Sequence, residues 1–200
     1  MDLIFDLETL GVKRRDVVIV SIACVPFDIT KQNTFDELEA QSFFRKLDIR
    51  SQLKTGATVE ESTMEWWSKQ SEEARRFSIK FSETDVDNAT AFTELADFVK
   101  SVPGYDYKNS FIWSRGIAFD MPKIEYQMEL LAETGVDVPV NFWKARDIRT
   151  FLDTLTGQNT GTYTCPEVEE AIARAHLHHA LHDAIIDAIR MQQLYKLLFN

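Results

Sequence analysis

The sequence predicts an α/β protein on a mixed five-stranded sheet, three antiparallel strands and then two more, flanked by helices. Three observations predict it. The first fifty residues hold three apolar, β-branched or aromatic runs separated by short polar turns. From Gly56 onward the apolar residues recur mostly at helical spacing. Two short runs, residues 110–113 (SFIW) and 140–143 (VNFW), interrupt those helices and supply the remaining strands. A chain of 200 residues, 44% hydrophobic and 12% aromatic, suits one domain over residues 1–200.

Each element follows in order. Residues 3–6 (LIFD) form a buried first strand, and residues 11–15 turn the chain. Residues 16–27 (DVVIVSIACVPF) suit a central strand, closed by Pro26 and Asp28. Residues 34–47, with Phe35, Leu38, Phe43, Phe44 and Leu47, read as a third, partly exposed strand. Ser62-Thr63-Met64-Glu65 is a capping-box pattern opening a helix that carries Trp66 and Trp67. Residues 77–87 are a polar loop. A helix over residues 89–102 carries Phe92, Leu95, Ala96 and Val99 and stops at Pro103-Gly104. Residues 114–116 turn into a helix that begins at Phe119-Asp120 and reaches about Glu133. Residues 147–155 are helical up to Gly157, and residues 156–164 are a polar loop. The last helix spans residues 179–199 with Leu181, Ile185, Ile189, Leu194 and Leu198 on its buried side.

Composition narrows the function. No apolar run approaches the ~20 residues of a membrane span, and Met1-Asp2 does not open a secretion signal. Cys24 and Cys165 form no disulfide framework, so a reduced, cytoplasmic protein is expected. The formal charge of −10 argues against a general polyanion binder. That objection weakens where acids cluster around divalent cations, which invert the local field.

Two carboxylates, Asp6 and Glu8, sit one residue apart at the end of the first apolar run. In a strand they emerge on one side, where they repel each other unless a cation sits between them. Asp120 follows the strand of residues 110–113 at a helix start, and Asp183 lies in the first turns of the last helix. Two-metal phosphodiester chemistry needs such a clamp of oxygen ligands, and a histidine is the natural base for the attacking water. All four histidines fall between Ala175 and Asp183. Helical spacing pairs His179 with Asp183, and His182 reads as an exposed neighbour.

Asp6-Leu7-Glu8-Thr9, Phe119-Asp120, and His178 five residues before Asp183 resemble, in order, the three motifs of the DEDDh 3′–5′ exonucleases. Within that family, residues 63–67 (TMEWW), 113–116 (WSRG) and 142–150 (FWKARDIRT) look most like the T-even phage exonuclease A branch. The resemblance covers nearly the whole chain. It implies an RNase H-like core and release of nucleoside 5′-monophosphates from a 3′ end with two Mg²⁺ or Mn²⁺ ions. By motif, Asp6, Glu8, Asp120 and Asp183 are the metal ligands and His178 is the general base.

The resemblance also places Leu7, Thr9 and Leu10 against the terminal base and sugar. Trp66 and Trp67 point about 100° apart on a helix, so one is core and the other a stacking platform; Trp67 is assigned to substrate. Arg115 is read as a phosphate contact, and Lys13, Arg14 and Arg15 as a solvated turn. The expected partner is a single-stranded nucleic acid with a free 3′ end, and no protein partner is readable. The phage branch favours DNA; an exoribonuclease with the same mechanism and a non-catalytic binding module are the alternatives.

Overall fold

In the computed structural model, which describes residues 1–199, the two N-terminal apolar runs become β1 (Asp2–Thr9) and β2 (Ile19–Phe27). They pair antiparallel with Asp6 opposite Ala23, and the register shifts between Glu8 and Thr9. β3 (Phe43–Lys46) pairs antiparallel with β2. β4 (Ile112–Ser114) runs parallel to β1, and β5 (Ala145–Asp147) parallel to β4. The order β3-β2-β1-β4-β5 puts β1 at the centre, and the expected mixed sheet is the one observed.

Nine helices flank it among the described residues: α1 (Phe35–Ala40), α2 (Ile49–Lys54), α3 (Glu61–Ser68), α4 (Glu72–Ser78), α5 (Asn88–Ser101), α6 (Ile117–Leu131), α7 (Ile148–Thr156), α8 (Pro166–Arg174) and α9 (Ala180–Phe199). Alternation along β1 decides what faces what. Leu3, Phe5 and Leu7 join Ile22, Cys24 and Ile112 in a core with Phe92, Leu95 and Val99 of α5 and Ile124 of α6. Ile4 joins Ala23, Val25 and Trp113 on the opposite side, against Leu152, Val168, Ala184 and Ile185 of α7, α8 and α9. Asp6 and Glu8 share the parity of Ile4, so they point toward α9. Each fully buried Leu, Ile or Phe contributes roughly 1.5–3 kcal/mol, so the central strand is a stiff base for its two acids.

Several expectations are corrected. Residues 34–47 are not one strand. Thr34 and Glu37 satisfy each other's backbone N–H groups in a capping box, which starts α1, and only the residues after it enter the sheet. The pattern at Ser62 is not used; α3 already starts at Glu61, with no side-chain cap at Glu60. α4 occupies the start of the expected loop at residues 77–87, and α2 and α8 were not anticipated. The last strand is β5 rather than residues 140–143, because Asn141 caps Trp143 N–H and winds residues 142–144 into a 3₁₀ turn. Leu198 is exposed, since the end of α9 runs past the core.

Candidate active site

Both acids lie within β1, which runs on to Thr9 where the expected strand ended at Asp6. Asp6 and Glu8 open into a cleft of about 470 Å³ that Asp120, His178, Asp183, Asp187, Arg115, Arg149 and Arg190 also line. Asp120 is brought there by the turn after β4. Gly116 has φ +148°, a backbone conformation that side-chain-bearing residues rarely adopt, so the turn favours a glycine. The chain then enters α6 with Asp120 in its first turn, where a carboxylate suits the helix dipole. Ser114 at the end of β4 donates its hydroxyl to Asp120 Oδ2, while Asp120 Oδ1 is buried without a hydrogen-bond partner.

α9 delivers Asp183 against β1. Ligand atoms of Glu8, His178 and Asp183 lie within 4.8 Å of one another. Burial, then the charges of Asp183 and Asp120, push the Glu8 carboxyl up to about 8. Burial also raises Asp6 well above the usual range, with Asp120 the largest charge against it. Asp120 is pushed up to about 7 by burial, against the pull of the Ser114 hydrogen bond and Lys123. Asp183 rises to about 7 by burial and the neighbouring Asp187, against Arg115 and Arg190. Four acids that ionise this reluctantly are poised to share a cation.

His178 stands on the loop before α9 with φ 59°, the sole non-glycine residue with positive φ among those described. Its carbonyl accepts the Ser78 hydroxyl of α4, and its ring lies edge-on to Trp66 with centroids 4.7 Å apart. Partial burial lowers its pKa, which keeps the imidazole neutral near pH 7. The other histidines turn away from the acids. His179 stacks on Phe44 at 4.3 Å, and His176 stacks on Phe77 at 4.1 Å. His182 is 7% exposed and meets Glu39 at 3.3 Å, so it is not the exposed neighbour expected. His179 meets Asp183 only through its carbonyl, which accepts the Asp183 N–H, and not through its ring.

A second hollow of about 380 Å³ adjoins the cleft and shares Leu7, Glu8 and Phe119 with it; Thr9, Val12, Ser62, Thr63, Trp66 and Trp67 complete its wall. The tryptophan assignment is reversed. Trp67 is 1% exposed and donates Nε1–H to the Thr9 carbonyl at 3.1 Å, whereas Trp66 is 41% exposed. Leu10 lines neither hollow; it packs with Val18, Val20 and Trp67. Arg115 is not a free phosphate contact, because its Nε meets Asp187 at 3.1 Å and its Nη1 donates to Gly161 O at 2.6 Å. Arg14 and Arg15 pair with Asp16 and Glu129, as a surface turn would.

Asp187 was missed by sequence reasoning. It is 3% exposed and is held by both Arg115 and Arg190. A signal exists: Asp183, Asp187 and Arg190 fall at i, i+4 and i+7 of the last helix, among Ala184, Ile185, Ile186, Ala188 and Ile189, a polar stripe on one face. Lys123 was missed too. It is 2% exposed, with Nζ 2.8 Å from Phe119 O and 3.5 Å from the Phe119 ring centroid, beneath Asp120.

A family model described as the 3′–5′ exoribonuclease Rv2179c-like domain matches residues 1–195. An exodeoxyribonuclease of Enterobacteria phage T4 is 32% identical over 203 residues, spanning 96% of this chain and 87% of that protein. The nuclease domain of 3′hExo, a DEDDh family member solved with rAMP, superposes with a TM-score of 0.59 at 12% identity over 98% of this chain and 92% of that one. Cell-death related nuclease 4 gives a TM-score of 0.55 at 13% identity, covering 99% of this chain and 65% of that one. These two share the fold, and the resemblance drawn from the ordered motifs is borne out. The chain belongs to the 3′–5′ exoribonuclease Rv2179c-like domain family and is a 3′–5′ exonuclease.

Proposed function

We propose that this enzyme removes nucleoside 5′-monophosphates from the 3′ end of single-stranded DNA, with two divalent cations, Mg²⁺ or Mn²⁺, held by Asp6, Glu8, Asp120 and Asp183. Residues 1–200 act as one exonuclease domain, and the cytoplasm is its proposed compartment. One observation carries the reading: Glu8, His178 and Asp183 converge within 4.8 Å in the cleft that Asp6 and Asp120 also line. The donor set fits such ions. All four ligands are hard carboxylate oxygens, Asp120 Oδ1 is buried without a partner, and burial with mutual repulsion raises all four acids.

When bound, the cations supply neutralisation of the scissile phosphate and a lower pKa for the attacking water. The chain's own residues do the rest. His178, neutral and facing Glu8 and Asp183, takes the water's proton on its imidazole nitrogen. The water oxygen bonds to phosphorus as the P–O3′ bond breaks, the terminal nucleotide leaves with its 5′-phosphate, and the departing O3′ takes a proton from solvent to become the 3′-hydroxyl of the remaining strand. Leu7, Thr9 and Trp66 line the hollow that receives the terminal nucleoside.

DNA is favoured by the name of the T4 relative, an exodeoxyribonuclease. The family description favours a second reading, an exoribonuclease with the same residues in the same roles. Rates on single-stranded DNA and RNA of matched sequence, each with Mg²⁺ and with Mn²⁺, separate the two. A 3′-blocked strand is expected to resist; its degradation at the unblocked rate, or cleavage of a single-stranded circle, would overturn 3′-end attack.

A further inference from the structure

Phe142 and Trp143 are the most conspicuous side chains that the mechanism leaves unused. Trp143 is 76% exposed and Phe142 59%, and their rings lie against each other with centroids 4.7 Å apart. Two adjacent aromatics so exposed on one turn ask for a partner. Next to them stand Lys144 and Arg146, whose charged ends lie over the Phe111 ring at 5.5 and 4.5 Å. Neither cation makes an ion pair among the described residues. Residues 142–149 carry Lys144, Arg146 and Arg149 against a single acid, in a chain where 32 acids outnumber 22 bases. That acid, Asp147, is occupied by the backbone N–H groups of Ile117 and Thr150.

The strip is joined to the acid cleft along the chain. β5 is the outer strand of the sheet, so its far edge is unpaired. Three residues of strand, ~10 Å at the usual rise, lead from the aromatic turn to Asp147, and Arg149 just beyond lines the cleft itself. We propose that Phe142, Trp143, Lys144 and Arg146 form a second docking surface for single-stranded nucleic acid, holding the strand upstream of the 3′ terminus. Bases stack on the exposed rings while phosphates pass the cations, a pairing that tolerates any sequence. The direction of the strand rests on the 3′-end reading above; the binding surface itself does not. Charge selects this occupant, because on an acidic protein an unpaired basic and aromatic strip is where a polyanion is least repelled.

The test is fluorescence anisotropy of end-labelled oligo-dT in the Asp120→Asn background, which reads binding without turnover. Lengths of about 3 and about 12 nucleotides bracket the lower range of single-strand site sizes. Trp143→Ala is expected to weaken the long oligonucleotide at least about fivefold, the loss of one stacked base, and the short one less than about twofold. Lys144→Gln with Arg146→Gln is expected to flatten the salt dependence for the long oligonucleotide by about two phosphate contacts. Unchanged affinity for the long oligonucleotide, or equal weakening of both, would overturn the proposal. So would self-association by sedimentation that Trp143→Ala abolishes while oligonucleotide binding is untouched. Should the otherwise wild-type chain fail to degrade 3′-ended strands, the exonuclease mechanism falls while the anisotropy still reports on the strip.

Discussion

The hydroxyl of Ser78 in α4 donates a hydrogen bond to the backbone carbonyl of His178, joining two segments 100 residues apart. α4 holds the same loop at two further points, with Phe77 stacked on His176 and Glu73 Oε1 3.0 Å from His176 Nδ1. A histidine at φ 59° needs such support to stay in place.

Ser78 is therefore a positioning residue. Ser78→Ala is expected to lower kcat roughly tenfold, about what one ordinary hydrogen bond is worth in a barrier. KM should change less than about twofold, and Ser78→Thr should restore most of the rate. Single-turnover measurements well below the melting temperature check this. A lower melting temperature at unchanged kcat would leave Ser78 with a role in stability alone.

The four raised carboxyls make stability depend on pH and on metal. A carboxyl whose folded pKa lies above its unfolded value of about 4 takes up a proton in the folded state first. Its favourable contribution is fully present below the unfolded pKa and is lost as pH rises through 7 to 8, where Asp120, Asp183 and Glu8 titrate. His179, lowered to about 3 mainly by burial, works in the opposite direction, but only below its unfolded value of about 6.5. The metal-free protein is expected to lose melting temperature from pH 6.5 to 8.5, and Mg²⁺ to flatten that slope. Asp120→Asn should raise the metal-free melting temperature at pH 8.5 while cutting turnover by roughly 10²–10³ or more, the scale of one lost charge-stabilising group. A metal-free melting temperature below wild type at pH 8.5 would contradict the repulsion argument.

Adjacent tryptophans divide their work by burial. Trp67→Ala removes a fully buried ring and its bond to the Thr9 carbonyl, so a loss of roughly 3–5 kcal/mol is expected. Trp66→Ala should cost less than about 1 kcal/mol, yet raise KM at least about fivefold if the ring stacks on the terminal base. Urea melts and steady-state kinetics on both variants decide it. Wild-type KM in Trp66→Ala would remove that ring from the nucleoside hollow.

Periodicity made the sheet legible because β1 and β2 are apolar enough to be read at once, and the order of Asp6, Glu8, Asp120 and Asp183 named a family before any geometry. What periodicity missed depended on neighbours distant in sequence or on local caps. Phe35 and Leu38 look the same in a strand or a short helix, and only the Thr34–Glu37 capping box separates them. Trp66 and Trp67 are alike in sequence; which one is buried depends on Thr9, 58 residues away. Arg115 looked free because its partner Asp187 lies on α9, brought close only when that helix packs on β1.

Asp187 carries the last expectation. It compensates the buried Arg190 guanidinium and the partly buried one of Arg115, and these in turn hold the loop after α7, through Arg115 Nη1 to Gly161 O and Arg190 Nε to Tyr163 O. Breaking one side of a buried pair leaves uncompensated charge and costs roughly 3–5 kcal/mol, so Asp187→Ala should show a loss of that size in urea unfolding. The cleft should change as well. Arg115 and Arg190 pull the Asp183 pKa down while Asp187 pushes it up. Without Asp187 two positive charges face the acids unopposed and compete with any cation there. The Mg²⁺ concentration for half-maximal rate is expected to rise roughly 10–100-fold, the range seen when a group behind a metal ligand is removed. Titrating Mg²⁺ at a temperature where the variant is fully folded separates the two effects. An unchanged requirement would make Asp187 a structural ion-pair partner and nothing more.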